Sequence, residues 1–342
     1  MEQVGKAVQE EKNVLQKEGR MQNWRSDLII EASALEAGTV LQKDQVPGSP
    51  VEISGVAVKE TWNQERSIKV TVVQVRNEEG ARAMGRPAGT YITIEIPDLL
   101  SEEESLKETA EQEVKKQLSE LIKGKKTGHI LVVGLGNREV TADAVGPLTV
   151  DQLLVTRHLF QEPAVGAAVK KKYRKVSAIV PGVMAQTGME TMELIRGIVE
   201  ETEPDMVVVV DALAARSPKR LNTTIQMTDT GISPGAGVGN NRKELNEKSL
   251  GCPVIAIGVP TVLDAVTIAR EEVAEEVKHL FVMPRNIDSS VEYVSELVAG
   301  GINGIIRVEE QQAECEGRSC FEQTEKTEQE ASGKDVCVTS KG

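Results

Sequence analysis

Apolar positions along this chain change rhythm twice, and the changes outline its organisation. Up to about residue 26 the chain is polar and without apolar periodicity, so residues 1–27 read as a leader. A compact apolar patch follows in Asp27-Leu-Ile-Ile-Glu-Ala-Ser33. Val51 to Thr61 alternates apolar and polar residues, Ile68 to Val75 is dense in valine, and Thr90 to Ile96 alternates again. Period-two alternation marks half-buried strands. Gly80 to Gly89, rich in glycine, reads as a loop or hairpin connection between the last two. Ser101-Glu-Glu-Glu then offers a helix start, and Leu106, Ala110, Val114, Leu118 and Leu121 form the buried stripe of a surface helix.

From residue 129 the rhythm becomes strand, helix, strand, helix. Strands are expected at 129–135, 176–180, 206–210, 223–227 and 254–258, and helices at 146–160, 187–202, 262–281 and 287–306. This alternation predicts an α/β fold, a mostly parallel sheet wrapped by helices, with an additional small β-rich N-terminal portion. Residues 28–306 are expected to form a single α/β domain, with a β-rich subdomain at about 48–100. The tail at 307–342 is low in apolar residues and is expected to be disordered.

Composition narrows the function classes. The chain has 342 residues, 39% hydrophobic and 27% charged, an ordinary globular balance long enough for a sizeable core. Aromatics are only 2%, so the core must be built from Val, Ile, Leu and Ala. A net charge of −13 argues against direct nucleic-acid binding, which needs clustered Lys and Arg. No apolar run is long enough to span a membrane and the N-terminus has no secretory apolar region. Cys252, Cys315, Cys320 and Cys337 have no zinc-site spacing, and the chain reads as intracellular, hence cytoplasmic.

Two aspartates carry the chemistry. The run His129-Ile-Leu-Val-Val-Gly-Leu-Gly136 leads through Asn137, Arg138 and Glu139 to Asp143, and Met206-Val-Val-Val-Val210 is followed at once by Asp211. Ligands of open parallel sheets bind outside the carboxyl ends of the strands, so both carboxylates are candidates for one crevice. A carboxylate abutting four valines is desolvated, which favours its neutral form. A pair of carboxylates in one crevice cannot both ionise freely, so one can activate water while the other protonates a leaving amine. The pair also offers hard oxygen ligands to a cation, with His158 either a further ligand or, as a lone His on a helix more often is, a structural residue. Asp143 reads equally well as a helix cap ahead of Gly146-Pro147. Gly134-x-Gly136 is not a dinucleotide loop, because Glu139 stands where the third glycine belongs. Gly235, Gly237 and Gly239 give a backbone that can approach a ligand closely, or a plain connection. Thr187 and Gly188, before the next helix, offer a hydroxyl and backbone N–H groups to the crevice, or merely cap a turn.

Long blocks of this sequence resemble the germination protease family, the endopeptidases that degrade small acid-soluble spore proteins. They are Val133 to Pro147, Val180 to Glu190, Asp211 to Ser217, Asp229 to Leu245 and Val254 to Val266, within a resemblance spanning roughly residues 25 to 306. The resemblance implies two essential aspartates at Asp143 and Asp211, a zymogen that processes itself, and a homotetramer in the spore core. It implies substrates with a site of the type Thr-Glu, apolar, small, Ser-Glu, which Ser26-Asp27-Leu28-Ile29-Ile30-Glu31 imitates, so the processing bond is expected between Asp27 and Leu28. The family fold is similar to that of hydrogenase-maturation proteases, which use a metal, so a metal is open by analogy although no cofactor is expected. A metal-dependent maturation-type peptidase and a non-catalytic peptide-binding relative are the alternative readings. Two features depart from the family: almost no insert precedes Met283, and the tail carries three cysteines.

Overall fold

The computed structural model describes residues 27–31, 54–63, 65, 67–101, 103–235, 243–269, 274–277 and 280–308. The expected leader up to residue 26, the tail beyond 308, and Gly237 and Gly239 lie outside the described residues.

Valine-rich and β-branched runs build one nine-stranded sheet among these residues. Its strands are β1 (Val56–Trp62), β2 (Lys69–Val75), β3 (Gly89–Glu95), β4 (His129–Gly134), β5 (Lys175–Ile179), β6 (Met206–Ala215), β7 (Thr224–Thr228), β8 (Val254–Asp264) and β9 (Phe281–Val282). They lie in the order β1-β2-β3-β7-β8-β6-β4-β5, with β9 paired to β8. Strands β8, β6, β4 and β5 run parallel, and β1, β2, β3 and β7 join them through antiparallel ladders. The expected α/β fold with its parallel core is therefore present, and the β-rich N-terminal strands continue that sheet.

The main helices are α1 (Glu78–Met84), α2 (Glu104–Ile122), α3 (Val145–Asp151), α4 (Pro163–Lys172), α5 (Thr191–Thr202) and α6 (Ile287–Ile306). Alternation along β6 assigns the layers. Met206, Val208 and Val210 pack with α2 and α6, whereas Val207 and Val209 pack with Met192, Ile195 and Val199 of α5. The stripe expected on α2, from Leu106 to Leu121, is buried against Val291, Val294, Leu297 and Ile302 of α6. At about 1.5–3 kcal/mol per buried aliphatic side chain, that seam is a main source of stability. Gly301 lets the two helices touch, since a Cβ there would strike the Val114 side chain.

Three expectations fail. The helix expected at 146–160 ends at Asp151, because the Leu154 and Thr156 N–H groups donate to Asn303 Oδ1 and Val176 C=O rather than along a helix, and Arg157–Gln161 form a separate 3-10 turn. Residues 262–281 are not one helix: β8 continues to Asp264, where Leu263 and Asp264 pair with Val282 and Phe281. The β-branched Val259, Thr261 and Val262 favour strand, and an extended β6 supplies their partner. The glycine-rich stretch at 80–89 begins with helix α1, because Asn77 caps it through the Gly80 N–H at 2.9 Å and Gly85 closes it in the left-handed conformation, φ 62°. Among the described residues no helix is long and apolar enough to cross a membrane.

Candidate active site

The parallel strand ends build the site. Leu135 N–H donates to Val210 C=O at 2.8 Å, carrying the β4–β6 pairing one residue past β4. Gly136, at φ 108°, turns the chain back where a Cβ would strike the Asp143 carbonyl. Asn137 N–H then donates to Asp143 Oδ2 at 2.8 Å, and Asp143 N–H donates to Val140 C=O at 2.7 Å. Thr261 Oγ1 of β8 donates to Ala142 C=O at 2.6 Å, tying the Asp143 turn to the sheet. Gly146 starts α3 directly on the carbonyls of Leu135 and Val210. Asp143 thus sits in the turn that leaves β4, and Asp211 directly follows Val210 on the neighbouring strand β6. Asp211 is 5% exposed, and its Oδ1 accepts the Ala212 N–H at 3.0 Å.

Asp211 opens into a cavity of about 210 Å³ on the sheet face away from α2 and α6. Asp27, Arg86, Tyr91, Gln226, Thr230 and Glu244 line it with Asp211, while Asp143 is not among its lining residues. Gly258 pairs with Asp211 on one side and Gln226 on the other, so these three form one row across β6, β8 and β7. Partners across a ladder project to one face, which puts Gln226 and Asp211 on the same side.

Residues 27–31 lie against this face. Asp27 N–H donates to Ala214 C=O at 3.0 Å, and Ala214 N–H donates to Asp27 Oδ2 at 2.9 Å. Gln226 Oε1 accepts the Ile29 N–H at 2.6 Å, while its Nε2 donates to Asp27 C=O at 3.1 Å. Leu28 and Ile29 are fully buried, in clusters with Leu213 and Leu263 and with Val73 and Tyr91. The Glu31 carboxylate accepts Arg216 N–H at 2.7 Å and Ser217 N–H at 3.1 Å and pairs with Arg220 at 3.1 Å.

Other residues singled out in the sequence have local partners. Asn137 Oδ1 accepts from Glu139 N–H at 3.1 Å and Gln186 Nε2 at 3.0 Å, joining the Asp143 turn to the short helical turn Met184–Thr187 before α5. Arg138 pairs with Asp151 of α3 at the surface, which raises the guanidinium and lowers the carboxyl from their ordinary values. The Thr187 hydroxyl bonds Val183 and Met189 within its own turn, which Gly188 closes at φ 70°. Gly235, at φ 70°, lines the cavity. Among the described residues no group of three or more His, Cys, Asp or Glu is placed to hold a metal ion.

Charge at the cavity is mixed, with Asp27, Asp211 and Glu244 on its lining beside Arg86. Tyr91, whose hydroxyl donates to Pro87 C=O at 2.9 Å, has its phenol pushed up mainly by burial, against a lowering bond from Thr230. Burial likewise lowers the Arg216 guanidinium, with the Glu31 charge opposing the shift. Sequence reading missed Gln226, Arg86, Tyr91 and Glu244. One signal was available for Gln226, a long polar side chain inside the otherwise strand-forming Thr224-Ile-Gln-Met-Thr228.

The germination protease family model matches residues 31–280. A germination protease of Caldanaerobacter subterraneus subsp. tengcongensis is 47% identical over 256 residues, 75% of this chain and 74% of that protein. That of Geobacillus sp. (strain WCH70) is 46% identical over 263 residues, covering 76% and 68%. That of Clostridium perfringens (strain ATCC 13124) is 41% identical over 320 residues, covering 83% and 95%. Among solved structures, a NiFe hydrogenase maturation protease, HycI from Thermococcus kodakarensis KOD1, is 20% identical with a TM-score of 0.31, over 54% of this chain and 98% of that one. On the breadth of the family match and the identity to these relatives, the chain belongs to the germination protease family of peptidases.

Proposed function

We propose that this chain is an endopeptidase made as a self-processing zymogen, which cuts its own Asp27–Leu28 bond and then degrades small acid-soluble spore proteins at germination. It works in the spore core as a homotetramer. A water between Asp143 and Asp211 attacks the scissile carbonyl, the pair taking the water proton and returning one to the leaving amine. Asp143 accepts the Asn137 N–H and Asp211 the Ala212 N–H, so each carboxylate is held by a backbone donor at its strand end, and the pair shares the proton between them.

One observation carries this reading: Asp27, at the expected processing bond, lines the same cavity as Asp211. A peptide docked beside a strand-end carboxylate is what a protease precursor needs. The test is mass spectrometry of a small acid-soluble spore protein incubated with wild type, Asp143→Asn and Asp211→Asn, each with and without EDTA. Cleavage by wild type in both conditions and by neither variant is expected. Retained cleavage by Asp211→Asn removes that residue from the mechanism, and loss with EDTA restored by one divalent ion turns the reading to the metal-dependent alternative.

A further inference from the structure

We propose that Gln226 is a catalytic residue of this reaction, donating through its side-chain amide to the carbonyl oxygen of the bond being cut. The inference rests on the reading that Asp27–Leu28 is that bond.

The geometry has three parts. The Gln226 Nε2–H already donates to the Asp27 carbonyl oxygen at 3.1 Å, the carbonyl of the expected processing bond. The amide cannot turn over, because Oε1 accepts the Ile29 N–H at 2.6 Å; a flipped amide would face a donor with a donor. The two bonds bracket Leu28, so a single side chain fixes the peptide on both sides of it. Gln226 is also 8% exposed, in a setting where a donor acts far more strongly than in water. Finally, Gln226 and Asp211 belong to one row with Gly258 between them, and both line the cavity. Two strand spacings put their Cα atoms about 10 Å apart. The carbonyl is thus gripped from β7 while a carboxylate faces the same cavity from β6.

In the step this arrangement supports, the water oxygen adds to the Asp27 carbonyl carbon and its proton passes to the aspartate pair. The carbonyl π electrons move onto oxygen, where the Gln226 N–H holds the developing negative charge. Collapse breaks the C–N bond, the pair delivers a proton to the Leu28 nitrogen, and one water has been consumed to give an Asp27 carboxyl group and a Leu28 amine. A neutral amide donor suits the task, because a cation there would compete for Asp211, and a carboxylate would repel the oxyanion.

The test uses the full chain and follows self-processing by intact mass in wild type, Asp211→Asn, Gln226→Glu and Gln226→Met. Hydrogen exchange at the Ala214 and Arg216 amides reports whether residues 27–31 stay seated. Wild type should release the leader and Asp211→Asn should not. Gln226→Glu should process about 10²–10³-fold more slowly, the loss typical of one oxyanion donor, with seat exchange unchanged. Relative to wild type, its rate should recover as pH falls, because a protonated Glu regains a donor, whereas Gln226→Met should stay slow at every pH. Should Gln226→Glu not fold, Gln226→Met with the same exchange control decides. A wild-type rate in either folded variant overturns the inference, as does a slow rate accompanied by faster seat exchange, which makes Gln226 a docking residue only. Processing by Asp211→Asn, or cleavage at another bond, overturns the underlying reading instead and takes this inference with it.

Discussion

Replacing Glu31 with alanine tests whether residues 27–31 are held as a peptide in a seat or merely collapsed on the surface. The carboxylate is 5% exposed and satisfies the N–H groups of Arg216 and Ser217 as well as pairing with Arg220. Removing one partner from such a buried set costs about 3–5 kcal/mol. Arg220 keeps Glu95 at 3.4 Å and is 19% exposed, so the lower end, about 3 kcal/mol, applies. Against this, burial of Leu28 and Ile29 contributes about 3–6 kcal/mol together. The apolar anchors therefore keep the segment in place most of the time, but its opening equilibrium rises about 150-fold. Native-state hydrogen exchange at the Ile29 and Ala214 amides, which donate to Gln226 Oε1 and Asp27 Oδ2, should accelerate by that factor, and self-processing should slow as the Asp27 carbonyl leaves Gln226. Glu31→Gln, which keeps one acceptor, should fall between. Exchange within about threefold of wild type in Glu31→Ala would refute the reasoning, because three charge-assisted contacts would then contribute nothing.

Three further outcomes follow from the same structure. Gly146→Ala should lower stability by about 1–3 kcal/mol or more, seen as a drop in Tm, because its Cβ meets the rigid carbonyls of Leu135 and Val210; an unchanged Tm would mean α3 does not start on the strand ends. Burial pushes the His129 imidazole below the ordinary histidine range, so the folded state binds that proton more weakly than the unfolded state. Its contribution is complete above about pH 6.5 and lost as pH falls through the depressed value, so His129→Gln should flatten the acid limb of a Tm-against-pH curve, and an identical limb would contradict this. Burial and Glu247 raise the Cys252 thiol, so with Cys315, Cys320 and Cys337 replaced by serine, alkylation at neutral pH should run slower than in the denatured chain; equal rates would place the sulfur in water.

Much of this architecture was legible because local patterns and tertiary demands agree. Helix α6 spans Ile287–Ile306, the interval its apolar stripe predicts, and α2 buries the residues expected of it. Strand ends were less legible. The sequence signal for β6 stops at Val210, yet the strand runs through Asp211 to Ala215 because an extended β8 pairs with it across a register shift after Leu213. That non-local pairing also drew residues 262–264 out of an expected helix. The candidate aspartates were visible as polar residues ending apolar runs. Gln226 stood out as a polar residue inside a strand-forming run, but its role became legible only once β7 was seen beside β8 and facing residues 27–31, since nothing local says which face of a strand meets a segment almost 200 residues away.

The central claim is that Asp143 and Asp211 act as one unit across a single water, and a double-mutant cycle on self-processing measures it most directly. Rates are compared for wild type, Asp143→Asn, Asp211→Asn and the doubly substituted chain. Groups acting together are grossly non-additive, so the double substitution should be no slower than the worse single one. Losses that multiply would mean two aspartates contributing separately, and the account of a shared water would be wrong.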